Sequence, residues 1–214
     1  MAFVATVNHY KYQAFQWRSE ASLTKKLVLA VGMACVTGIM AQLRIYLPWS
    51  PVPITGQTFA VLLSGVLLGA WGGGLSQAIY AGLGFAGVPW FANWSGGIAM
   101  LAGPTCGYIV GFVFASFFIG YVSDRYVRAR SFAGMLGLML TATFLLIHGP
   151  GLLHLGIWFA AFKGQPIDIG QIFWMGSIPF IAGDVTKAVV AAAVAACVAP
   201  KTAYNVPETA GHRK

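Results

Sequence analysis

The sequence predicts an all-α membrane protein: six transmembrane helices in a single bundle, with the N and C termini both cytoplasmic. Three observations predict it. Only 8% of the 214 residues are charged and 58% are hydrophobic, against roughly a quarter charged in an ordinary soluble domain. Mean hydropathy is +0.74. The few basic residues cluster in the short stretches flanking apolar runs, where they act as a topology signal rather than a nucleic-acid footprint, so the net charge of +8 points to no nucleic acid.

A span needs about 20 apolar residues. Residues 1–25 are polar and aromatic, contain no compact apolar core with a cleavage site, and are expected to form a cytoplasmic N-terminal tail. The bundle is expected over 26–199, with apolar runs at 26–46, 57–71, 74–88, 106–122, 132–161 and 174–198. The second and third are short, and Trp71-Gly72-Gly73-Gly74 between them is too flexible to carry one helix through. The fifth is long and carries Gly149-Pro150, a kink signal flanked by His148 and His154. Residues 200–214 are expected to form a cytoplasmic C-terminal tail. Cys35, Cys106 and Cys197 are far apart, without a metal-ligand spacing, and read as small apolar residues.

Six spans put both termini on one side. That side then holds all thirteen Lys and Arg except Arg44, Lys163 and the intramembrane Lys187, which makes it cytoplasmic. The outer face consists of the connections 47–56, 89–105 and 162–173. The first carries Pro48, Pro51 and Pro53, which impose an extended backbone. The second begins Pro89-Trp90-Phe91-Ala92-Asn93-Trp94-Ser95-Gly96-Gly97 and is uncharged yet irregular. Such backbone survives at membrane depth only when buried in protein or lining a cavity, so it is expected to fold back on the bundle. Small residues recur four apart at Ala30, Ala34 and Gly38, at Gly65 and Gly69, and at Gly107 and Gly111. These ladders serve close helix packing, or in the first span the docking of another membrane protein.

Of five acidic residues, Glu20, Asp124, Asp168 and Glu208 lie in tails or connections and Asp184 alone lies in a span. Lys187 follows three residues on, on the same helical face. An intramembrane charge costs several kcal/mol and pairing does not remove the whole cost, so the pair marks a site. Counted from the outer end of the last span, Asp184 lies roughly 10 to 15 Å deep, within reach of the two inward-folding connections. Ser76 with His148 or His154 invites an intramembrane protease, but the serine falls near the inner end of its span and the histidines near the outer end of theirs. An aspartyl protease needs two membrane carboxylates. The histidines read as polar packing.

Several motifs in order resemble one family. They are Pro51-Val52-Pro53-Ile54-Thr55-Gly56-Gln57-Thr58, Leu67-Leu68-Gly69-Ala70, Gly84-Phe85-Ala86-Gly87-Val88-Pro89, Gly103-Pro104-Thr105-Cys106-Gly107-Tyr108 and Pro179-Phe180-Ile181-Ala182-Gly183-Asp184-Val185-Thr186-Lys187. Between about Leu27 and Ala199 the chain resembles the BioY family, the biotin-specific substrate-binding (S) components of energy-coupling-factor (ECF) transporters. The resemblance implies a six-helix S-component domain with an outward-facing ligand pocket closed by the loops after the first and third spans. It implies that the ladder Ala30, Ala34, Gly38 docks on a transmembrane coupling (T) protein, itself bound to ATP-binding-cassette ATPases, in a prokaryotic cell membrane.

On that resemblance the ligand is biotin, with no cofactor or metal. The chain lacks a phosphate-binding glycine-rich loop with Lys, so partners hydrolyse the ATP. Asp184 would accept from the ureido N–H groups, and Lys187 would keep Asp184 ionised and donate to the ureido oxygen. Thr55, Gln57, Asn93 and Ser95 are candidates for the other polar contacts. Tyr80, Trp90, Phe91, Trp94 and Tyr108 are candidates for the apolar walls. The chain departs from some members at Cys106 and at Ile109, where they carry Gly and Arg, so no partner for the ligand's carboxylate is evident. An S component for another vitamin and an intramembrane hydrolase using Asp184 and Lys187 are the alternatives.

Overall fold

The computed structural model describes residues 2–164 and 167–203. Glu208, Arg213 and Lys214 of the expected C-terminal tail lie outside the described residues. Helix α1 (Ala2–Glu20) leads into α2 (Leu23–Gln42). A two-residue antiparallel pair follows, β1 (Arg44–Ile45) with β2 (Ile54–Thr55). Then come α3 (Gln57–Phe85) and α4 (Cys106–Arg125). Helix α5 (Phe132–Thr141) runs through a π-type turn, Ala142–Ile147, into α6 (His148–Phe162). Helix α7 (Ile169–Gly176) is joined by a 3-10 turn, Ile178–Phe180, to α8 (Ile181–Val198). Among the described residues five segments are long and apolar enough to cross a membrane: Leu23–Gln42, Gln57–Phe85, Cys106–Arg125, Phe132–Ala161 and Ile169–Val198. The protein is a multi-pass, mostly helical membrane protein.

The break expected at Trp71–Gly74 lies instead at Gly69, whose φ of 75° only glycine takes without strain. There α3 turns back on itself. Gln57 Nε2 donates to Tyr80 Oη (2.7 Å) and Gln77 Nε2 to Ser64 Oγ (3.2 Å), so the arms on either side of Gly69 run antiparallel. The glycines that follow serve packing rather than flexibility: a Cβ on Gly73 would lie 2.8 Å from the Gly65 Cα. Gly120 of α4 crosses over the hinge with no room for a side chain, and Ser116 one turn earlier hydrogen-bonds Ser64 (2.6 Å).

Where the sequence suggested a kink, the fifth apolar run carries a π-type turn with a traceable cause. Pro150 has no N–H, and its ring crowds the carbonyl four residues back, that of Leu146. The helix widens into the π-type turn over that residue, and Gly111 of α4 packs against the same carbonyl. Likewise the last apolar run is not one helix from 174. It breaks at Ser177 (φ −134°, ψ −53°) before Pro179 and restarts at Ile181, placing Asp184 in the first turn of α8, where the helix dipole favours a negative charge.

Residues 2–20, read from sequence as tail, form a helix held to the bundle. Arg18 is 8% exposed and donates to the Val66 carbonyl (2.9 Å) and to Asp124 Oδ1 (2.7 Å). Arg130, 2% exposed, donates to the carbonyls of Ser123, Asp124, Pro200 and Thr202. Both arginines occupy helix C-termini, where orphan carbonyls need donors. Asp124, read from sequence as lying in a connection, sits in the last turn of α4 and is ion-paired to Arg18, so Asp184 is not the one acidic residue within an apolar helix.

Ala30 and Ala34, read as a docking ladder, are fully buried, and Gly38 packs on Trp90, its Cβ position 3.0 Å from that of the tryptophan. The ladder faces the bundle interior, and Val28, Val31, Gly32, Val36 and Ile39 form the exposed face of α2. A helix in lipid is apolar all round, so periodicity does not distinguish its faces.

Candidate functional site

At one end of the bundle, the start of α8 meets the connections 47–56 and 89–105. Asp184, 3% exposed, has a partner on each oxygen. Lys187 Nζ lies 2.6 Å from Oδ1, and His148 Nε2 lies 2.9 Å from Oδ2. The carboxylate is thus engaged by its own bundle, where the sequence suggested one left open for a ligand. It still has acceptor capacity, since two carboxylate oxygens offer about four lone-pair directions, and it stands in the wall of a cavity.

That cavity has a volume of about 320 Å³, at the small end of the usual range for small-ligand sites. Its floor is Asp184, His148 and Phe180, and α4 contributes Tyr108, Ile109 and Phe112. Tyr46, the run Pro51–Pro53, Thr55 and Gln57 close one side, and Phe91, Asn93, Ser95 and Met100 close another. Among the described residues no Lys or Arg lies in the wall.

Seven of the sequence-predicted residues line this cavity: Asp184, Thr55, Gln57, Phe91, Asn93, Ser95 and Tyr108. Lys187, Tyr80, Trp90 and Trp94 do not, and each has another place. Lys187 Nζ donates to Asp184 and to the Thr55 carbonyl (2.8 Å), tying the 47–56 connection to α8. Ser50 Oγ makes a second tie, to the Met175 carbonyl (2.6 Å). Tyr80 is fully buried behind Gln57, whose Nε2 donates to its hydroxyl while Thr55 Oγ1 donates to Gln57 Oε1. Trp90 packs on Tyr80, with ring centroids 5.4 Å apart, and donates to the Tyr80 carbonyl. Trp94 is 66% exposed.

The 89–105 connection is built around Phe91, 2% exposed, between Tyr80 and Phe85, with Gly84 leaving space for its ring. Asn93 (φ 65°) and Trp94 (φ 54°) are consecutive left-handed residues, a conformation that costs about 1–3 kcal/mol per residue and asparagine tolerates best. Contacts from the end of α2 hold it. Arg44 Nη2 donates to Asn93 Oδ1 (2.8 Å), Gln42 Nε2 to the Phe91 carbonyl (3.0 Å), and the Trp94 N–H to Gln42 Oε1 (3.2 Å). With Oδ1 held by Arg44, the Asn93 side chain has donors rather than an acceptor to offer a ligand.

Sequence reasoning missed His148. It read the side chain as polar packing because it lies 36 residues from Asp184 and in no motif; its signal was a polar group beside a proline deep in an apolar run. His148 Nδ1 also lies 2.8 Å from Ser177 Oγ, so Ser177, His148 and Asp184 form a hydrogen-bonded chain of the residue types an acyl-transfer enzyme uses. Here the serine is buried and off the cavity wall, and Lys187 already neutralises the aspartate, so no nucleophile is presented to a substrate. Ser76 donates to the Gly73 carbonyl, far from either histidine, and His154 bonds the Gly103 carbonyl.

A helical bundle in the membrane with a cavity of small-ligand size at one end, whose described lining holds one oriented carboxylate and no Lys or Arg, defines a membrane-embedded small-molecule binding protein. Comparison with known proteins gives it a family. Residues 11–204 match the BioY family, and the match begins inside α1, earlier than the motifs suggested. The chain is 48% identical over 143 residues to a probable biotin transporter BioY of Methanothermobacter thermautotrophicus, covering 67% of this chain and 91% of that one. It is 38% identical over 174 residues to the biotin transporter BioY of Rhizobium etli, covering 79% and 90%. Its fold superposes on the crystal structure of the S-component for biotin from an ECF-type ABC transporter with a TM-score of 0.70 at 26% identity, over 81% of this chain and 89% of that one. The chain belongs to the BioY family.

Proposed function

We propose that the chain is the substrate-binding component of an ECF-type uptake system, capturing biotin at the outer face of a prokaryotic cell membrane for delivery inward. The observation that carries this reading is the placement of Asp184, held on both oxygens, in the wall of a cavity sized for a small ligand, in a chain of this family. Biotin's ureido ring offers two N–H donors to the remaining lone pairs of Asp184, each such charge-assisted bond worth roughly 1.5–3 kcal/mol. Tyr108, Phe91, Phe112 and Phe180 would enclose its thioether bicycle. With no Lys or Arg among the described residues of the wall, the carboxylate of the flexible chain would meet neutral donors, foremost the Asn93 amide.

In this reading the arms of α3 on either side of Gly69 are separate crossings, giving six passes with both termini cytoplasmic. The distribution of basic residues supports it. The connections 47–56 and 89–105 then cover the pocket from outside. Transport is driven by a transmembrane coupling (T) protein with ATP-binding-cassette ATPases. The chain itself carries out no catalysis, and its surroundings are lipid rather than nucleic acid.

Isothermal titration of the purified, detergent-solubilised protein with biotin tests the reading, with competition by other vitamins. One biotin per chain, undisplaced by the others, is expected. A flat thermogram, or tighter binding of a different vitamin, overturns it.

A further inference from the structure

His148 is the first residue of α6, directly after the π-type turn, and is 4% exposed. Its ring is enclosed by Tyr108, Phe144 and Phe180, at centroid distances of 6.0, 5.2 and 6.2 Å and steep interplanar angles. Walled on three sides, the imidazole has little freedom to turn. Among the described residues the charged groups near it are Asp184, at 2.9 Å, and Lys187 on the far oxygen of that carboxylate. The Tyr108 hydroxyl is engaged with the Gly176 carbonyl (2.7 Å).

The partners fix the roles of the nitrogens. A carboxylate only accepts, so Nε2 carries a proton and donates to Asp184 Oδ2. Nδ1 faces the Ser177 hydroxyl, which can donate to it and hold that tautomer in place. Lys187 alone would leave the carboxylate free to turn about its Cβ–Cγ bond, because an ammonium imposes no plane. A second donor on Oδ2, delivered from a different segment and held by three rings, fixes the plane and so the directions of the lone pairs that face the cavity.

We propose that His148 is a positioning residue of the ligand site: it sets the carboxylate plane of Asp184 against the N–H groups of a cyclic urea, and Ser177 sets the tautomer of His148. This rests on the function proposed above. It also gives the two helix irregularities a shared purpose, since the π-type turn delivers His148 and the break before α8 delivers Ser177.

The test compares His148→Gln, whose amide nitrogen stands near the position of Nε2, with His148→Asn, whose shorter amide reaches toward Ser177 but not Asp184. Affinity is measured by titration for biotin and for an analogue methylated on the ureido nitrogens, with thermal stability recorded in parallel. His148→Asn is expected to weaken biotin by roughly tenfold to a hundredfold, the worth of one charge-assisted hydrogen bond. It should leave the weaker analogue binding unchanged, so discrimination between the two collapses. His148→Gln is expected to stay within about threefold of wild type on the same scale. In an Asp184→Asn background the His148→Asn loss is expected to disappear.

Equal losses for both ligands, or wild-type discrimination in folded His148→Asn, overturn the inference while leaving biotin recognition standing. If His148→Asn is not recovered folded, His148→Gln decides alone, and loss of discrimination in the folded protein overturns the proposal. Failure of the wild type to bind biotin instead removes the functional reading beneath it.

Discussion

The two ends of the bundle both bury charge, and they use it differently. Where α4 and α8 end, Arg130 spends its donors on the carbonyls of Ser123, Asp124, Pro200 and Thr202, and Arg18 divides its own between the Val66 carbonyl and Asp124 Oδ1. At the other end, Asp184 is held by two side chains while one side of it forms part of a cavity wall. A guanidinium saturated by carbonyls is a staple, whereas an oriented carboxylate with spare lone pairs facing a cavity is a receptor. Burial of a charge is common to both and does not identify the site; what each group faces does.

Substitutions sharpen that contrast. Asp184→Ala should have the largest effect on ligand binding, at least about a hundredfold in Kd by titration, because it removes the acceptor and leaves Lys187 and His148 without their shared partner. An Asp184→Ala protein that folds and binds biotin normally would break the comparison. Arg130→Ala should do the reverse. Losing several charge-assisted bonds should cost about 3 kcal/mol or more, lowering Tm by roughly 6–12 °C, while the protein that remains folded binds within about twofold of wild type. A selective loss of affinity there would show the two ends to be one coupled site. Smaller effects are expected along α2: Ala34→Leu overpacks a filled interface and should cost about 1–3 kcal/mol in thermal unfolding. Gly32→Leu, on the exposed face where a Cβ meets nothing within 4 Å, should change neither Tm nor Kd.

What was legible in the sequence follows from what lipid leaves unambiguous. Charge is so scarce that Asp184 and Lys187 stood out, and the proline-rich and aromatic connections announced irregular backbone that had to find cover. The faces of helices were not legible, because an apolar span has no polar side to betray its orientation; Ala30, Ala34 and Gly38 turned inward for that reason. The hinge was misplaced by a few residues because the glycines at 72–74 signal flexibility and close approach equally well, and here they serve approach. His148 and Arg18 were missed as partners because the contacts that give them meaning span 36 and 106 positions of chain. Of the eleven ligand-site candidates, those that fell off the wall, Lys187, Tyr80, Trp90 and Trp94, include two that brace residues on it, Lys187 and Tyr80, so the motif had marked the neighbourhood more sharply than the contacts.

The hinge at Gly69 carries one more consequence. The first arm of α3, from Gln57 to Leu68, rises only about 18 Å at 1.5 Å per residue, against roughly 30 Å of hydrocarbon. No residue from 57 to 68 is exposed, so with the α3 arms as separate crossings the neighbouring helices rather than acyl chains surround that arm, and its shortness imposes no thinning on the bilayer. Reconstituted into phospholipids of increasing chain length, the protein should keep its thermal stability where a lipid-facing arm of that length would lose it.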